Sequence, residues 1–225
     1  MKVYGLIPAY NEEENIQEVI SRLKNIKIIP IVVNDGSTDR TNELAKKRRV
    51  IVLKHEKNKG KGEALKTGFK YIIQKCKDAK YIVIIDADMQ YPPEESIKLV
   101  KPLQQGADFV TGYRNLKELP FRHRLGNCVW KGFFNLLFGT KFKDTNCGFM
   151  ALTRKAVEKI KNIHGGYIIE NSLFIEALKN NLRIEQVPIK VNYEKISGIF
   201  RGIRVEFSVL IFIIKEGFKY RLGIK

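Results

Sequence analysis

Short apolar runs alternate with longer polar and amphipathic segments through the first 112 residues. Each run is rich in β-branched residues and ends at turn-forming or polar residues, as buried strands do. Segments of helical periodicity separate the runs, and the predicted strands recur about every 25 residues. This alternation predicts an α/β fold, a doubly wound and mostly parallel sheet with helices on both faces. The predicted strands are residues 3–7, 28–33, 50–53, 81–85 and 108–111, and the predicted helices begin near Asn11 or Asn15, Thr38 or Asp39, Glu63 and Pro92.

Beyond residue 112 the pattern is less regular. Residues 1–195 are predicted to form one domain, followed by a basic, apolar extension at residues 196–225. This extension is predicted to be a helix at a membrane surface or at an interface. The remaining predictions are an amphipathic helix at residues 121–139, helices at 151–160 and 169–179, and a strand at 184–191 that Pro188 interrupts.

The net charge and the length of the apolar runs limit the kinds of partner that the chain could bind. The formal net charge is +17, and residues 113–225 carry 21 Lys/Arg against 9 Asp/Glu, so the excess lies mainly in the second half. A polyanionic partner or a lysine-rich solvated surface would each account for this. No uncharged apolar run approaches the ~18–20 residues that span a bilayer. We therefore expect no transmembrane helix and a cytoplasmic location, peripheral on the inner face of the cell membrane.

Two carboxylates and an amide follow the fourth predicted strand. Asp86, Asp88 and Gln90 would point to one side if residues 86–90 were extended. Their oxygens suit Mg²⁺ or Mn²⁺, and such a metal offsets the charge on a leaving diphosphate. A turn with N-capping aspartates explains the same residues without a metal.

Polar turns also follow the first two predicted strands. Tyr10 and Glu12 come after the first, and Asp35 follows the second. A tyrosine ring can stack on a base, and carboxylates can accept hydrogen bonds from ribose hydroxyls or base N–H groups. Each turn taken alone is equally well explained as a capped strand-to-helix turn. Three such turns on one sheet edge together favour a nucleotide site, because ligands of open α/β sheets bind beyond the carboxyl ends of the strands.

The sequence contains an ordered set of motifs. In chain order they are IPAYNEEENI, VVNDGSTDRT, KGKGEALKTGF, IDADMQYPPE, TGYRN and NCGFMALTRKAV. With these motifs the sequence resembles the inverting family 2 glycosyltransferases, which have the GT-A fold. Within that family it is most similar to the polyprenyl-phosphate sugar synthases, which include dolichol-phosphate mannose and glucose synthases. The resemblance covers residues 1–195.

The resemblance implies roles for individual residues. Asp88, Glu170 and Arg114 would be catalytic, and Asp86, Asp88 and Gln90 would bind the metal. Arg114 would bind the acceptor phosphate, as would Arg201, which lies in a segment that matches the family's basic loop loosely. Arg122 and Arg124 are predicted to join them because they flank a segment that could meet the lipid. The nucleotide-sugar would contact Pro8, Ala9, Tyr10, Glu12, Asp35, Lys61, Asp86 and Ala87. The chain departs from the family at Met150, where the common GFR motif has its arginine.

The class of acceptor determines whether the enzyme must remove a proton from it. A hydroxyl acceptor needs a general base, for which Glu170 is the candidate, whereas a phosphate monoester is already anionic at neutral pH. The basic second half favours a polyprenyl phosphate. The QxxRW motif of processive synthases is absent, Trp130 being the only tryptophan, so one sugar moves per cycle. The motif KGKGEALKTGF at residues 59–69 is closer to that of glucose-type synthases, which favours a UDP-sugar over GDP-mannose.

Rival interpretations remain open at this stage. A nucleotidyltransferase would need a glycine-rich loop after the first strand, and a nucleic-acid-binding module would need a recognition motif; neither is found. The apolar segments around residues 129–138 and 203–214 suit contact with an anionic membrane, core packing, a homodimer interface or a separate membrane-protein partner. Three scattered cysteines without a CxxC pair argue against a disulfide framework and a zinc site.

Overall fold

The structure is a computed structural model that describes residues 2–115, 121–192 and 203–224. Two 3₁₀ turns, Pro93–Glu95 and Gly166–Ile168, accompany its helices and strands. In chain order the elements are β1 (Lys2–Ala9), α1 (Ile16–Asn25), β2 (Ile29–Asn34), α2 (Thr41–Lys47), β3 (Ile51–Lys54), α3 (Lys61–Lys75), β4 (Ala79–Ile84), α4 (Ser96–Gln104), β5 (Phe109–Tyr113), α5 (Phe121–Phe138), β6 (Met150–Thr153), α6 (Arg154–Lys159), α7 (Ile169–Lys179), β7 (Ile184–Pro188) and α8 (Ile203–Arg221).

The strands of the described residues form one seven-stranded sheet in the order β3-β2-β1-β4-β6-β5-β7. Neighbours pair in parallel except β6, which is antiparallel to both β4 and β5. Alternate side chains enter two apolar clusters, with Leu6 and Ile31 in one and Ile7 and Val32 in the other. The sheet therefore has buried side chains on both faces, which explains why its strands are nearly continuous apolar runs. The predicted α/β fold is confirmed.

The chain direction places the carboxyl ends of β1 and β4 side by side. From β1 the chain adds β2 and then β3 on one side, and β4 lies on the other side of β1. Such a reversal of strand order opens a crevice at the carboxyl ends of the strands, where ligands of α/β sheets bind. Tyr10 follows β1 and Asp86 follows β4, so both border this crevice.

The prediction of a helix at residues 151–160 is wrong at its start. Met150–Thr153 is strand β6, with Met150 opposite Ile84 of β4 and Thr111 of β5. Helix α6 begins only at Arg154, where the Thr153 hydroxyl accepts a hydrogen bond from the Ala156 amide at 3.1 Å. Pairing with two neighbouring strands overrides the helix propensity of methionine, alanine and leucine.

Helix α8 packs along α5 within the predicted extension. Val209 and Ile213 are buried in the same cluster as Phe134. The guanidinium of Arg221 donates to the carbonyl of Leu137 at 2.7 Å, at the C-terminal end of α5 where carbonyls lack intrahelical partners. Residues 196–202 lie outside the described residues. Within the described part of the chain, none of the helices combines the length and apolarity that crossing a bilayer requires.

Two helices predicted for the second half of the chain are confirmed. The amphipathic helix predicted at residues 121–139 is α5, and the helix predicted at 169–179 is α7. The last strand, β7, ends at Pro188, as expected for a residue that cannot donate to a neighbouring strand.

Candidate active site

Hydrogen bonds join the loops that follow β1 and β2. The Asn11 amide donates to the Ser37 hydroxyl at 3.0 Å, and the Glu12 amide donates to the Thr41 hydroxyl at 2.7 Å. Asn11 has a φ of 55°, a left-handed conformation that asparagine tolerates better than most residues. The ring of Tyr10 stands 44% exposed between these anchored residues. The loop therefore presents an aromatic face that a base could cover.

Asp35 lies below this surface and is fully engaged with protein groups. Its Oδ1 is 2.6 Å from Nδ1 of His55 and accepts the Lys59 amide at 3.0 Å, and its Oδ2 accepts the Gly60 amide at 2.7 Å. The other ring nitrogen of His55 lies 2.9 Å from the Thr67 hydroxyl. Asp35 thus fastens the end of β2 to the loop that leads into α3. Pro8 and Ala9 are buried in β1, where the Ala9 carbonyl accepts the Asp35 amide at 2.9 Å.

Lys61 connects two carboxylates from distant parts of the chain. Its ammonium is 2.7 Å from Oδ1 of Asp86 and 3.3 Å from Oε1 of Glu170. Burial alone would lower the pKa of Lys61, but the two carboxylates raise it above its ordinary value. A Cβ at Gly148 would lie 2.9 Å from the Lys61 Nζ and 3.0 Å from Oδ2 of Asp86. A side chain at position 148 would therefore push the Lys61 ammonium away from its present place between the carboxylates.

Residues 86–90 form a turn, as one of the two interpretations of this segment expects, and are not extended. The turn lies at Ala87 and Asp88, and Met89 has a φ of 60°. The Gln90 amide donates to Oδ1 of Asp88 at 2.9 Å, which closes the turn. The left-handed conformation is strained for a methionine, a feature that clusters at functional sites.

Three carboxylates, those of Glu12, Asp86 and Asp88, gather at the crevice. Burial raises the pKa of Asp88, and the negative charge of Asp86 raises it further. Burial raises the pKa of Glu12 as well, and Asp88 and Asp86 add to the shift. The Asp86 and Asp88 carboxylates are close enough for their charges to interact, so this pair could supply oxygen ligands to a hard divalent cation. Within the described residues, no group of three or more His, Cys, Asp or Glu side chains is arranged to hold a metal ion.

Arg114 follows β5 and is paired with a carboxylate that sequence analysis missed. Its Nε donates to Oδ2 of Asp144 at 2.7 Å and its NH2 group donates to Oδ1 at 3.1 Å. The side chains are 12% and 1% exposed. Burial alone would lower the pKa of Arg114, but Asp144 raises it well above its ordinary value. Arg114 is therefore a fixed cation with a firmly set orientation.

The remaining predicted positions are less defined. Arg122 and Arg124 belong to the first turn of α5, but their side chains lie outside the described residues, and Arg201 lies outside them entirely. Their contact with an acceptor phosphate stays a prediction. Met150, which replaces the arginine common in the resembled family, is 1% exposed between β4 and β5. That position is therefore part of the core.

Comparison with known proteins agrees with this geometry. Residues 6–161 match the model of the family described as glycosyl transferase family 2. The chain belongs to that family. The match includes the strand ends that carry Tyr10, Asp35, Asp86 and Arg114. The resemblance and the enzyme class predicted from sequence are both confirmed.

Relatives of this family 2 glycosyltransferase include enzymes whose names contain dolichyl or dolichol phosphate. It is 31% identical over 236 residues to UDP-N-acetylglucosamine–dolichyl-phosphate N-acetylglucosaminyltransferase of Methanococcus voltae, covering 93% of each protein. It is 35% identical over 203 residues to dolichol-phosphate mannosyltransferase of Pyrococcus furiosus, covering 84% of this chain and 56% of the relative. Glucosyl-3-phosphoglycerate synthase of Mycobacterium tuberculosis, crystallised with Mn²⁺, UDP and phosphoglyceric acid, has a TM-score of 0.76 at 22% identity over 100% of this chain and 79% of that one. This likeness shows the shared fold.

Three residues at the edge of this site were not predicted from the sequence. His55 carries only a weak signal, a lone histidine at the end of an apolar run. Asp144 and Gly148 lie in the segment KDTNCGFM, whose acidic residue and glycine have no recognisable role until the fold brings them beside Arg114 and Lys61.

Proposed function

We propose that this family 2 glycosyltransferase moves one sugar per cycle from a nucleotide diphosphate-sugar to a polyprenyl phosphate, with inversion at the sugar. The observation that carries the acceptor assignment is the ion pair between Lys61 and Glu170. It accounts for the position of Glu170 without a proton-transfer role. The two relatives whose names contain dolichyl or dolichol phosphate support the same acceptor class.

The donor would lie across the crevice between β1 and β4. Tyr10 offers a stacking face for the base, and Lys61 offers a cation near the sugar diphosphate. Mg²⁺ or Mn²⁺, held by Asp86 and Asp88 with the Gln90 amide oxygen, would neutralise charge on the leaving diphosphate. We favour a UDP-sugar, because the relative covered along 93% of its length carries that donor in its name.

The acceptor chemistry rests on cations. A phosphate oxygen is already deprotonated above its second pKa of about 6, so attack on the sugar requires positioning and no base. Two anionic groups must nevertheless approach each other. Arg114, whose orientation Asp144 fixes, supplies a charge that offsets this repulsion. Arg122, Arg124 and Arg201 are proposed to complete the phosphate site.

The lipid acceptor implies a membrane surface, and helices α5 and α8 provide a candidate contact. Among the side chains of α5 that the structure describes, the exposed large apolar ones are Val129, Phe133 and Leu136, spaced as one helical stripe. A second stripe consists of Ile211, Lys215 and Phe218 on α8, with Leu222 directly after the helix. Apolar faces accompanied by cations bind at the interface of anionic bilayers. We propose that an anionic membrane surface covers them.

A pair of variants tests the acceptor class. Glu170→Gln keeps the size of the side chain, and we expect kcat/KM with polyprenyl phosphate to fall less than tenfold. A variant combining Arg114→Met with Asp144→Asn removes the cation and its partner together, and we expect a larger loss. General-base catalysis contributes ~10²–10⁴-fold, so a hydroxyl acceptor would reverse this order. If Glu170→Gln proves the more damaging change, the lipid-phosphate acceptor is wrong.

A further inference from the structure

A chain of three asparagine side chains connects α5 with α7. Asn171 Nδ2 donates to Oδ1 of Asn146 at 2.9 Å, and Asn146 Nδ2 donates to Oδ1 of Asn127 at 2.9 Å. Asn127 lies in α5, Asn146 in the loop before β6, and Asn171 in α7 directly after Glu170. The chain thus runs from the helix assigned to the acceptor to the helix that carries Glu170.

The same network includes the fixed cation. The Asn146 amide donates to Oδ1 of Asp144 at 2.9 Å, the oxygen that also accepts from Arg114. The asparagine side chains are uncharged, so they connect these elements without attracting or repelling the substrate phosphates. Fully buried Asn171 also leaves its Oδ1 without a protein partner. Such an unpaired buried group costs free energy, which an apolar residue at this position would avoid.

The other contacts of α5 are apolar packing or hydrogen bonds to the segment directly after the helix. Trp130, Phe134 and Phe138 attach it to the core through apolar packing, which has little directional preference. Asn135 also makes side-chain hydrogen bonds, but its partners are Thr140 and Phe142, in the segment directly after the helix. Among the described residues, it is Asn127 whose side-chain bond from α5 reaches the loops at the strand ends.

We propose that Asn127, Asn146 and Asn171 are positioning residues that set α5, and the acceptor on it, against the donor site. The inference rests on the proposed function, because it assumes that the lipid phosphate binds beside α5. Breaking the chain should impair use of the acceptor while leaving donor binding intact.

The matched comparison is Asn127→Ala against Asn135→Ala. Both remove an asparagine from α5, and Asn135 makes more hydrogen bonds. We expect Asn127→Ala to lower kcat/KM for polyprenyl phosphate about three- to tenfold, the effect of one net hydrogen bond. Its affinity for UDP and its rate of donor hydrolysis without acceptor should stay unchanged. Asn135→Ala should lower thermal stability and leave the acceptor KM unchanged.

A double-variant cycle separates a connected chain from independent contacts. Asn127 and Asn171 both bond to Asn146, so combining Asn127→Ala with Asn171→Ala should cost no more than the larger single loss. Thermal melts first establish that each variant is folded. Multiplying losses, or Asn127→Ala kinetics within twofold of wild type, would overturn this inference alone. Wild-type protein that transfers nothing to polyprenyl phosphate would overturn the proposed function and this inference with it.

Discussion

Removing one partner of the buried Arg114–Asp144 ion pair should destabilise the protein as well as impair its activity. Replacing Arg114 by methionine removes the cation and leaves a carboxylate that is 1% exposed without its charged partner. Losing one partner of a buried pair costs about 3–5 kcal/mol. We expect about 3 kcal/mol, because Asp144 still accepts the amides of Arg114 and Asn146. The variant combining Arg114→Met with Asp144→Asn should recover much of this loss, since no unpaired charge remains.

Denaturant unfolding measures these changes directly. Trp130 is the only tryptophan and is 6% exposed, so its fluorescence reports unfolding in every variant. The combined variant should be folded yet impaired in transfer, which separates the structural role of the pair from the role of the cation. A loss below about 1 kcal/mol for Arg114→Met, or a combined variant no more stable than the single one, would refute this reasoning.

Three further predictions concern the metal, the ion pair of Lys61 and the membrane. Asp88→Ala should abolish transfer with little change in unfolding free energy, and excess EDTA should stop the wild-type reaction until Mn²⁺ is restored; undiminished activity in EDTA would exclude metal dependence. Gly148→Ala should lower kcat more than tenfold and change the melting temperature little, because a Cβ there would lie 2.9 Å from the Lys61 ammonium. Wild-type kinetics for this variant would show that the present contact between Lys61 and Asp86 is dispensable. Binding to anionic vesicles should weaken with salt and on combining Phe133→Glu with Phe218→Glu, as flotation would show; binding indifferent to both would assign those faces to another contact.

The sequence predicts most of the strand ends that border the proposed donor site. Tyr10, Asp35 and Asp86 each follow a strand whose apolar run is unmistakable, and parallel strands bring their carboxyl ends to one edge. Local chemistry and global topology agree there. The finer assumption of an extended segment at residues 86–90 fails, because the backbone turns at Asp88 and Met89 is left-handed.

The ion pairs of Lys61 and Arg114 were harder to predict because their partners are distant in sequence. Lys61 and Glu170 are 109 residues apart, and Arg114 and Asp144 are 30 apart. Strand β6 forms from helix-favouring residues only because β4 and β5 flank it, and it is this strand that brings Gly148 to Lys61. Such pairings depend on tertiary context, which residue patterns along the chain do not contain.

The central claim is that the sugar goes to a phosphate on a lipid. To test this most directly, the protein is incubated with Mn²⁺ and a labelled donor, either a UDP-sugar or GDP-mannose. One reaction contains polyprenyl phosphate, and another contains the corresponding unphosphorylated polyprenol. We predict label in the lipid extract with the phosphate alone, in a product that mild acid hydrolyses to free sugar. Equal transfer to the polyprenol, or donor hydrolysis with no labelled lipid from either acceptor, would contradict the proposed acceptor.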